Sequence, residues 1–227
     1  MAEILLIHGA MHGAWCWDLL RPELEKLGHH THVLDLPIET AGTTLDTYAD
    51  VVAEQLDRLP GPAWLVGHSM GGMVAPRAAL KRKVAGLILL CTVPPDLSER
   101  HQQENLSAVN LDKVAEFVTE NGLQTIDRDK APGHFFASCS ADLQRWASGK
   151  LRAQSAAALE SRTPLPSLPG VPTHAILTRD DALLRAEPMA ALYRRRLSLE
   201  PVMLPGDHSP FLHCPELLAR TIDGMVG

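Results

Sequence analysis

The stretch Gly67-His68-Ser69-Met70-Gly71-Gly72 follows directly on an apolar run, residues 63–66, and leads into a helix-forming stretch, residues 73–80. This order predicts a strand, a tight turn and a helix, which is the context that gives a short GxSxG match its meaning as a nucleophile elbow. A serine in such a turn has a strained backbone that exposes its oxygen, and the flanking glycines avoid collisions with neighbouring backbone. Ser69 is therefore the candidate nucleophile.

Short apolar runs and helix-length amphipathic segments alternate along most of the chain. The runs predicted to be strands lie at residues 4–7, 32–36, 63–66, 84–91, 174–178 and 201–204. The predicted helices lie at residues 15–27, 44–59, 73–81, 188–197 and 215–226. Because this alternation is typical of a parallel sheet covered on both faces, the predicted fold class is α/β, with a mostly parallel sheet of about six strands.

One long segment, residues 94–169, interrupts the alternation. It shows no clear strand, it is rich in helix formers, and it closes with a proline-rich run at residues 163–169. We interpret it as a helical insertion into a single α/β core that is formed by residues 1–93 and 170–227. A chain of 227 residues is long enough for one such core with a small excursion, and too short for two full domains.

Composition narrows the classes of partner. The formal net charge is −6, and the basic residues form no stripe that could follow a phosphate backbone, so nucleic acid is not an expected partner. No apolar run reaches the roughly 20 residues that cross a bilayer, and no basic region precedes the first apolar run, so neither a membrane nor export is expected. The cysteines lack CxxC pairing, which favours reduced thiols and a cytoplasmic location; they are Cys16, Cys91, Cys139 and Cys214. The oligomeric state stays open.

A serine hydroxyl needs a base within hydrogen-bond reach and an acid that orients the base. His208 lies in a glycine-containing loop just after the predicted strand at residues 201–204, and it is the candidate base. Asp180 follows the predicted strand at residues 174–178 and is the preferred acid, with Asp181 as the second choice. Taken singly, each of these residues could instead be a solvated loop histidine, a surface carboxylate or a helix cap. Their placement after strands, in the chain order serine, acid, histidine, favours the catalytic interpretation.

Acyl transfer also requires hydrogen-bond donors for the oxyanion that forms when the serine attacks a carbonyl. The elbow supplies one, the backbone N–H of Met70. The glycine-containing loop after the first predicted strand is expected to fold back and supply the second, the backbone N–H of Ala10. We interpret His8 and His12 as residues that shape this loop, and no metal or other cofactor is expected.

Nearly the whole chain resembles the α/β-hydrolase superfamily, and five stretches carry the resemblance. More narrowly, the chain resembles the branch of plant methyl esterases and hydroxynitrile lyases with their bacterial esterase-like relatives. The five stretches are HGAMHGAWCW at 8–17, VLDLP at 33–37, GHSMGG at 67–72, TRD at 178–180 and DHSPF at 207–211. The resemblance implies that residues 94–169 form a cap over the active site. It also implies an apolar pocket that Phe135, Phe136 and Trp146 could line, although each of these aromatics could equally belong to a small core of the cap.

Within that branch, lyases are distinguished from esterases by a threonine in the first loop and a lysine directly after the histidine. This chain has Gly9 and Ser209 at those positions, so it lacks the cation that would stabilise a leaving cyanide. The sequence therefore predicts a serine hydrolase that cleaves carboxylic esters of small apolar compounds through an acyl-enzyme. The alternatives are a lyase or carbon–carbon hydrolase with the same triad, and a weakly catalytic ligand-binding protein. The small-molecule ester is the one expected partner.

Overall fold

The computed structural model describes residues 1–160 and 163–227, and a six-stranded parallel sheet runs through its centre. The strands, in chain order, are β1 (Glu3–Ile7), β2 (His30–Val33), β3 (Trp64–His68), β4 (Gly86–Leu90), β5 (Val118–Glu120), β6 (Leu123–Thr125), β7 (Gln154–Ser155), β8 (Thr173–Thr178) and β9 (Val202–Leu204). The central sheet has the order β2-β1-β3-β4-β8-β9, with every pair parallel. The predicted α/β fold class is confirmed.

Helices cover both faces of the central sheet. They are α1 (Leu20–Lys26), α2 (Leu45–Leu56), α3 (Met70–Ala79), α4 (Glu99–Ser107), α5 (Leu111–Val114), α6 (Ala141–Gly149), α7 (Ala157–Glu160), α8 (Ala186–Leu197), α9 (Pro210–His213) and α10 (Pro215–Val226). A 3₁₀ turn, Ala14–Trp17, precedes α1, and a π-helical turn, Pro132–Phe136, precedes α6. Within the described residues, no helix is long and apolar enough to cross a membrane.

The central strands are buried on both sides because alternate side chains face opposite layers of helices. In β1, Leu6 belongs to one apolar cluster and Leu5 to the other, and both are completely buried. Strand β2 ends earlier than predicted. The reason is local: the chain turns out of the sheet after Val33, and the backbone N–H of Leu36 donates to Nε2 of His8 at 3.0 Å.

The inserted segment leaves the sheet between β4 and β8 and is not purely helical. Besides α4 to α7 it contains a small antiparallel sheet in the order β5-β6-β7. No strand could be predicted here because these strands have only two or three residues each, and every residue of β5 is exposed. A strand of that length shows no apolar alternation that could be distinguished from a loop.

Candidate active site

Ser69 lies at the tight turn between β3 and α3. Its backbone has φ +51° and ψ −118°, a conformation that non-glycine residues rarely adopt. The neighbouring glycines are required by close packing, since a β-carbon at Gly67 would collide with the backbone of Gly71, and one at Gly71 with the carbonyl of Ile7. The turn is held by the hydroxyl of Thr92, which donates to the carbonyl oxygen of Ser69 at 2.6 Å. The strand, turn and helix predicted around Ser69 are therefore present.

His208 lies in the loop after β9, with its ring almost completely buried and bordering the same cavity as Ser69. Its Nδ1 is 2.7 Å from Oδ2 of Asp181. A carboxylate can only accept, so Nδ1 carries the proton and Nε2 is left as the basic nitrogen. The other carboxylate oxygen of Asp181 accepts the backbone N–H groups of Leu183 and Leu184, at 2.8 and 3.0 Å, which fixes the carboxylate in place.

Asp180, the preferred acid of the sequence analysis, does not contact His208 in this structure. It is exposed, and its Oδ2 accepts the backbone N–H of Gly206 at 3.2 Å. Asp181, the second choice, occupies the position next to His208, so the geometry favours Asp181 over Asp180 as the orienting acid. Consecutive side chains at the end of a strand point in different directions, and the carboxylate that turns inward is the one that also accepts the amides two and three residues further along. An aspartate that accepts the amides of the second and third following residues forms an Asx-type turn. The tendency of Asp181 to form such a turn was the local signal that could have favoured it.

The loop after β1 brings Ala10 to the cavity, where it lies with Met70, Ser69 and His208 among the lining residues. The loop turns at Met11, which has a positive φ of 62°. These positions agree with the predicted oxyanion loop, although the donor roles of the Ala10 and Met70 amides stay predictions.

Two buried histidines shape this loop. Nδ1 of His8 donates to the Gly9 carbonyl at 2.8 Å, and Nδ1 of His12 donates to the Ala10 carbonyl at 2.8 Å. Burial lowers the pKa of His8 to about 4 and the pKa of His12 to about 3, so both rings are neutral at physiological pH. Among the described residues, no group of three or more His, Cys, Asp or Glu side chains is arranged to hold a metal ion.

A cavity of about 320 Å³ opens beside Ser69. Apolar side chains from the inserted segment form much of its wall, namely Leu106, Val109, Val114, Phe117, Phe135 and Leu159. The core side contributes further apolar and sulfur-containing side chains, namely Met11, Met73, Cys91, Val93, Leu183 and Leu184. None of the described residues lining the cavity is Lys or Arg, and Glu160 is the one carboxylate among them. The cavity therefore suits an uncharged, mostly apolar group.

The structure separates the three aromatic residues predicted to line the pocket. Phe135 borders the cavity, and its ring centroid lies 6.2 Å from that of His208. Phe136 is completely buried behind it and does not border the cavity. Trp146 lies at the surface, 37% exposed, with its ring edge against Trp15 and the ammonium of Lys150 over its face. Phe136 and Trp146 are therefore packing residues in this structure.

Asp207, directly before His208, was not singled out from the sequence. Its buried carboxylate accepts the backbone N–H of Ser209 at 2.9 Å and that of Ser138, in the inserted segment, at 2.6 Å. Burial raises the pKa of Asp207, while these two donors and the nearby His213 oppose that rise. Only the fold brings Ser138 to this carboxylate, 69 residues away along the chain.

Comparisons with known proteins agree with this architecture. A sequence model of the alpha/beta hydrolase family matches residues 4–221. Methylesterase 2 of Arabidopsis thaliana is 39% identical over 81 residues, which are 31% of this chain and 31% of that protein. Pyrethroid hydrolase of Sphingobium wenxiniae is 37% identical over 102 residues, 41% of this chain and 36% of that protein. In these alignments the chain spans about a third of the length of each curated relative.

Many solved structures match over almost the full length, and two of them illustrate the similarity. The crystal structure of polyneuridine aldehyde esterase has a TM-score of 0.86 at 20% identity and covers all of both chains. A pyrethroid hydrolase from Sphingobium faniae JZ-2 has a TM-score of 0.78 at 26% identity, covering 99% of this chain and 97% of that one. The predicted resemblance to the α/β-hydrolase superfamily, with plant methylesterases and a bacterial hydrolase among its relatives, is confirmed by the family model and the curated relatives.

Proposed function

We propose that this chain, which belongs to the alpha/beta hydrolase family, hydrolyses uncharged carboxylic esters of small apolar compounds. The observation that carries the proposal is the convergence at one cavity of Ser69, on a strained turn, and His208, whose Nδ1 is bound to the buried carboxylate of Asp181 at 2.7 Å. A nucleophile, a base and an orienting acid are the three groups that serine-dependent acyl transfer requires. The curated relatives named above, a methylesterase and a pyrethroid hydrolase, support ester chemistry in general.

In the proposed reaction, Oγ of Ser69 attacks the ester carbonyl while Nε2 of His208 takes the hydroxyl proton. The carbonyl oxygen becomes an oxyanion that accepts hydrogen bonds from the backbone N–H groups of Ala10 and Met70. When the intermediate collapses, the carbon–oxygen bond to the alcohol breaks, and His208 returns the proton to the departing alkoxide. An acyl group remains on Ser69, and Asp181 stabilises the imidazolium while it exists.

Water completes the cycle. Nε2 of His208 removes a proton from a water molecule that attacks the acyl carbonyl, and the same amides hold the second oxyanion. Collapse releases the carboxylic acid and returns the proton to Oγ of Ser69. The cavity wall of the inserted segment holds the apolar part of the ester and separates it from bulk water.

Two observations favour hydrolysis over cyanohydrin cleavage. A β-carbon at Gly9, where the resembling lyases have threonine, would lie 2.7 Å from Nδ1 of His68 and 3.1 Å from Cβ of Ser69. A threonine would therefore not fit this loop without displacing His68. In addition, the described residues that line the cavity include no Lys or Arg to stabilise cyanide as it leaves.

The proposal is tested by the hydrolysis of p-nitrophenyl esters from acetate to decanoate by the wild type, Ser69→Ala and the exposed control Ser167→Ala. We expect the wild type and the control to turn over equally, with kcat/KM highest at one acyl length. Ser69→Ala should lose roughly 10⁶-fold in kcat, as when a triad nucleophile is removed. Substantial turnover by Ser69→Ala would contradict the covalent mechanism. Labelling of Ser69 by a fluorophosphonate without turnover of any ester would instead favour a ligand-binding protein.

A further inference from the structure

His68, the residue directly before Ser69, carries an imidazole that the reaction described above does not use. The ring is completely buried, and its Nε2 is 2.9 Å from the main-chain carbonyl oxygen of His208, 140 residues away along the chain. A carbonyl can only accept a hydrogen bond, so Nε2 of His68 carries the proton and donates it. The elbow is thereby tied directly to the backbone of the proposed catalytic base.

His68 makes this contact as a neutral donor. Burial, and next the nearby His208, hold the pKa of His68 well below its usual value. Neutrality matters here because the two imidazole ring centroids are only 4.7 Å apart. A cationic donor at this position would oppose the protonation of His208 that the reaction requires at each step.

The opposite edge of the His68 ring faces the loop after β1. A β-carbon at Gly9 would come within 2.7 Å of Nδ1 of His68, so the ring packs against the glycine backbone there. The ring of Phe211 lies beside it, with centroids 4.8 Å apart. His68 therefore fills the space between the predicted oxyanion loop and the main chain of His208.

We propose that His68 is a positioning residue that fixes the main chain of His208 relative to Ser69. Asp181 orients the His208 ring through Nδ1, but a ring held at that atom can still move with its own backbone. Displacements of about 1 Å at a reacting group can cost roughly 100-fold in rate, so a second fixed point on the backbone of the base has a direct catalytic consequence. The proposal rests on the proposed function, since it assigns His208 the role of base.

Two amide variants separate this role from simple packing. In His68→Gln the amide nitrogen can reach the place of Nε2 and donate to the His208 carbonyl, whereas in His68→Asn the shorter amide reaches only the place of Nδ1. Both variants are polar and uncharged, but His68→Asn is smaller by one methylene and leaves a larger space, so thermal stability is measured beside kcat for both. We expect His68→Asn to lose about 10- to 100-fold in kcat with KM changed less than about threefold, and His68→Gln to recover most of that loss.

A matched control is His29→Gln. His29 is another buried histidine, 2% exposed, whose Nε2 lies 3.0 Å from Asp223, away from the cavity. It should change thermal stability without changing kcat. Equal kcat values for His68→Asn and His68→Gln at matched thermal stability, whether both high or both low, would overturn the positioning role.

The same variants are also compared by their rate of reaction with a fluorophosphonate, which requires the activated serine but no ester turnover. The labelling rates should fall in the same order as kcat, with His68→Asn the slowest. If the wild type is labelled rapidly yet hydrolyses no ester, the proposed function fails while the order of labelling rates still tests His68. Equal labelling rates in all three proteins would overturn the positioning role even if the wild type is an active esterase.

Discussion

The two walls of the active-site cavity are built in different ways. The core side carries the polar groups of the site among apolar side chains, and its histidine and acid are fixed by buried hydrogen bonds, from His208 and from two backbone amides to Asp181. On the side of the inserted segment the groups are mainly apolar, such as Phe117 and Leu106, and they are placed by packing alone. A hydrogen bond fixes the donor–acceptor distance to within a few tenths of an ångström and also restricts its angle, whereas apolar side chains can repack. Under the proposed function, the core wall would serve the reaction, and the inserted wall would serve the fit of the substrate.

The two walls are nevertheless fastened together at the three loops that carry the site. In each case a backbone N–H of the inserted segment donates to a core loop. The contacts are Arg152 to the Met11 carbonyl at 2.8 Å, Asn110 to the Leu183 carbonyl at 2.8 Å, and Ser138 to Oδ2 of Asp207 at 2.6 Å. The inserted segment thus contributes to the position of the loops that carry the candidate site residues, as well as to the pocket.

After the loss expected for Ser69→Ala, the next largest effect on the core wall separates the two neighbouring aspartates. Asp181→Asn should lower kcat by about 10⁴-fold, because an amide at this position no longer holds His208 in the tautomer with Nδ1 protonated. Asp180→Asn should stay within about threefold of the wild type, since that carboxylate is exposed and binds only a loop amide. Steady-state kinetics on the preferred p-nitrophenyl ester measure both. If Asp180→Asn lowered kcat more than Asp181→Asn, Asp180 would be the orienting acid and the assignment of Asp181 would be wrong.

This pair of residues also marks how far the sequence could predict the site. The strands, the elbow and the order of the loops follow from apolar patterns and turn residues, which act over a few neighbouring positions. Which of two adjacent carboxylates turns toward His208 depends on the exact end of β8 and on the amides of Leu183 and Leu184, which a strand pattern does not contain. For that reason the sequence analysis preferred Asp180, whereas the structure places Asp181 beside His208.

Contacts between residues that are far apart along the chain could be predicted even less well from the sequence. Phe135, Phe136 and Trp146 are similar in sequence context, yet only Phe135 borders the cavity. The three differ because the π-helical turn Pro132–Phe136 rotates successive aromatics to different sides, and because α6 places Trp146 against Trp15. Short exposed strands and an irregular turn leave no periodic signal, so the wall formed by the inserted segment could not be derived from the sequence.

The buried histidines of the loop after β1 predict a steep loss of stability in acid. The pKa of His8 is lowered to about 4 and that of His12 to about 3, so between their usual value of 6.5 and pH 4 the unfolded chain binds protons that the folded chain does not. Each group then lowers the free energy of unfolding by about 1.4 kcal/mol per pH unit as the pH falls, which is tenfold in the equilibrium constant. His68, with its pKa also lowered by burial, adds to this slope.

Denaturant unfolding at pH 7, 6 and 5 measures this dependence. The matched variant is His12→Asn, whose amide nitrogen can still donate to the Ala10 carbonyl in place of Nδ1 but does not titrate. Its free energy of unfolding should be lower than that of the wild type at pH 7. Between pH 6 and 5 that free energy should also fall less steeply than in the wild type, by about 1.4 kcal/mol per pH unit. An unchanged slope would show that protonation of His12 in the unfolded chain is not a source of the stability loss in acid.

A smaller effect is expected where the two walls meet. Asp207→Asn leaves one oxygen to accept the two amides that the carboxylate now holds, and the amide nitrogen would face an N–H donor. We expect a loss of roughly tenfold in kcat and a lower melting temperature, because both the Ser138 contact and the loop that carries His208 loosen. The control is Glu200→Gln, which breaks an exposed ion pair with Arg194. A melting temperature that falls while kcat is unchanged would show that the inserted segment has no influence on the base.

The smallest effect should come from the inserted wall itself, and it should appear in KM. Phe117 is half-buried, borders the cavity and stacks on Phe135 with ring centroids 6.1 Å apart. Phe117→Ala removes apolar surface from the binding site, so KM for the longer esters should rise about fivefold while kcat for acetate is retained. Trp146→Ala, outside the cavity, should leave KM within about twofold at every acyl length. If Phe117→Ala instead lowered kcat for all esters equally, the apolar wall would be taking part in the reaction, and the division between a wall for chemistry and a wall for fit would not hold.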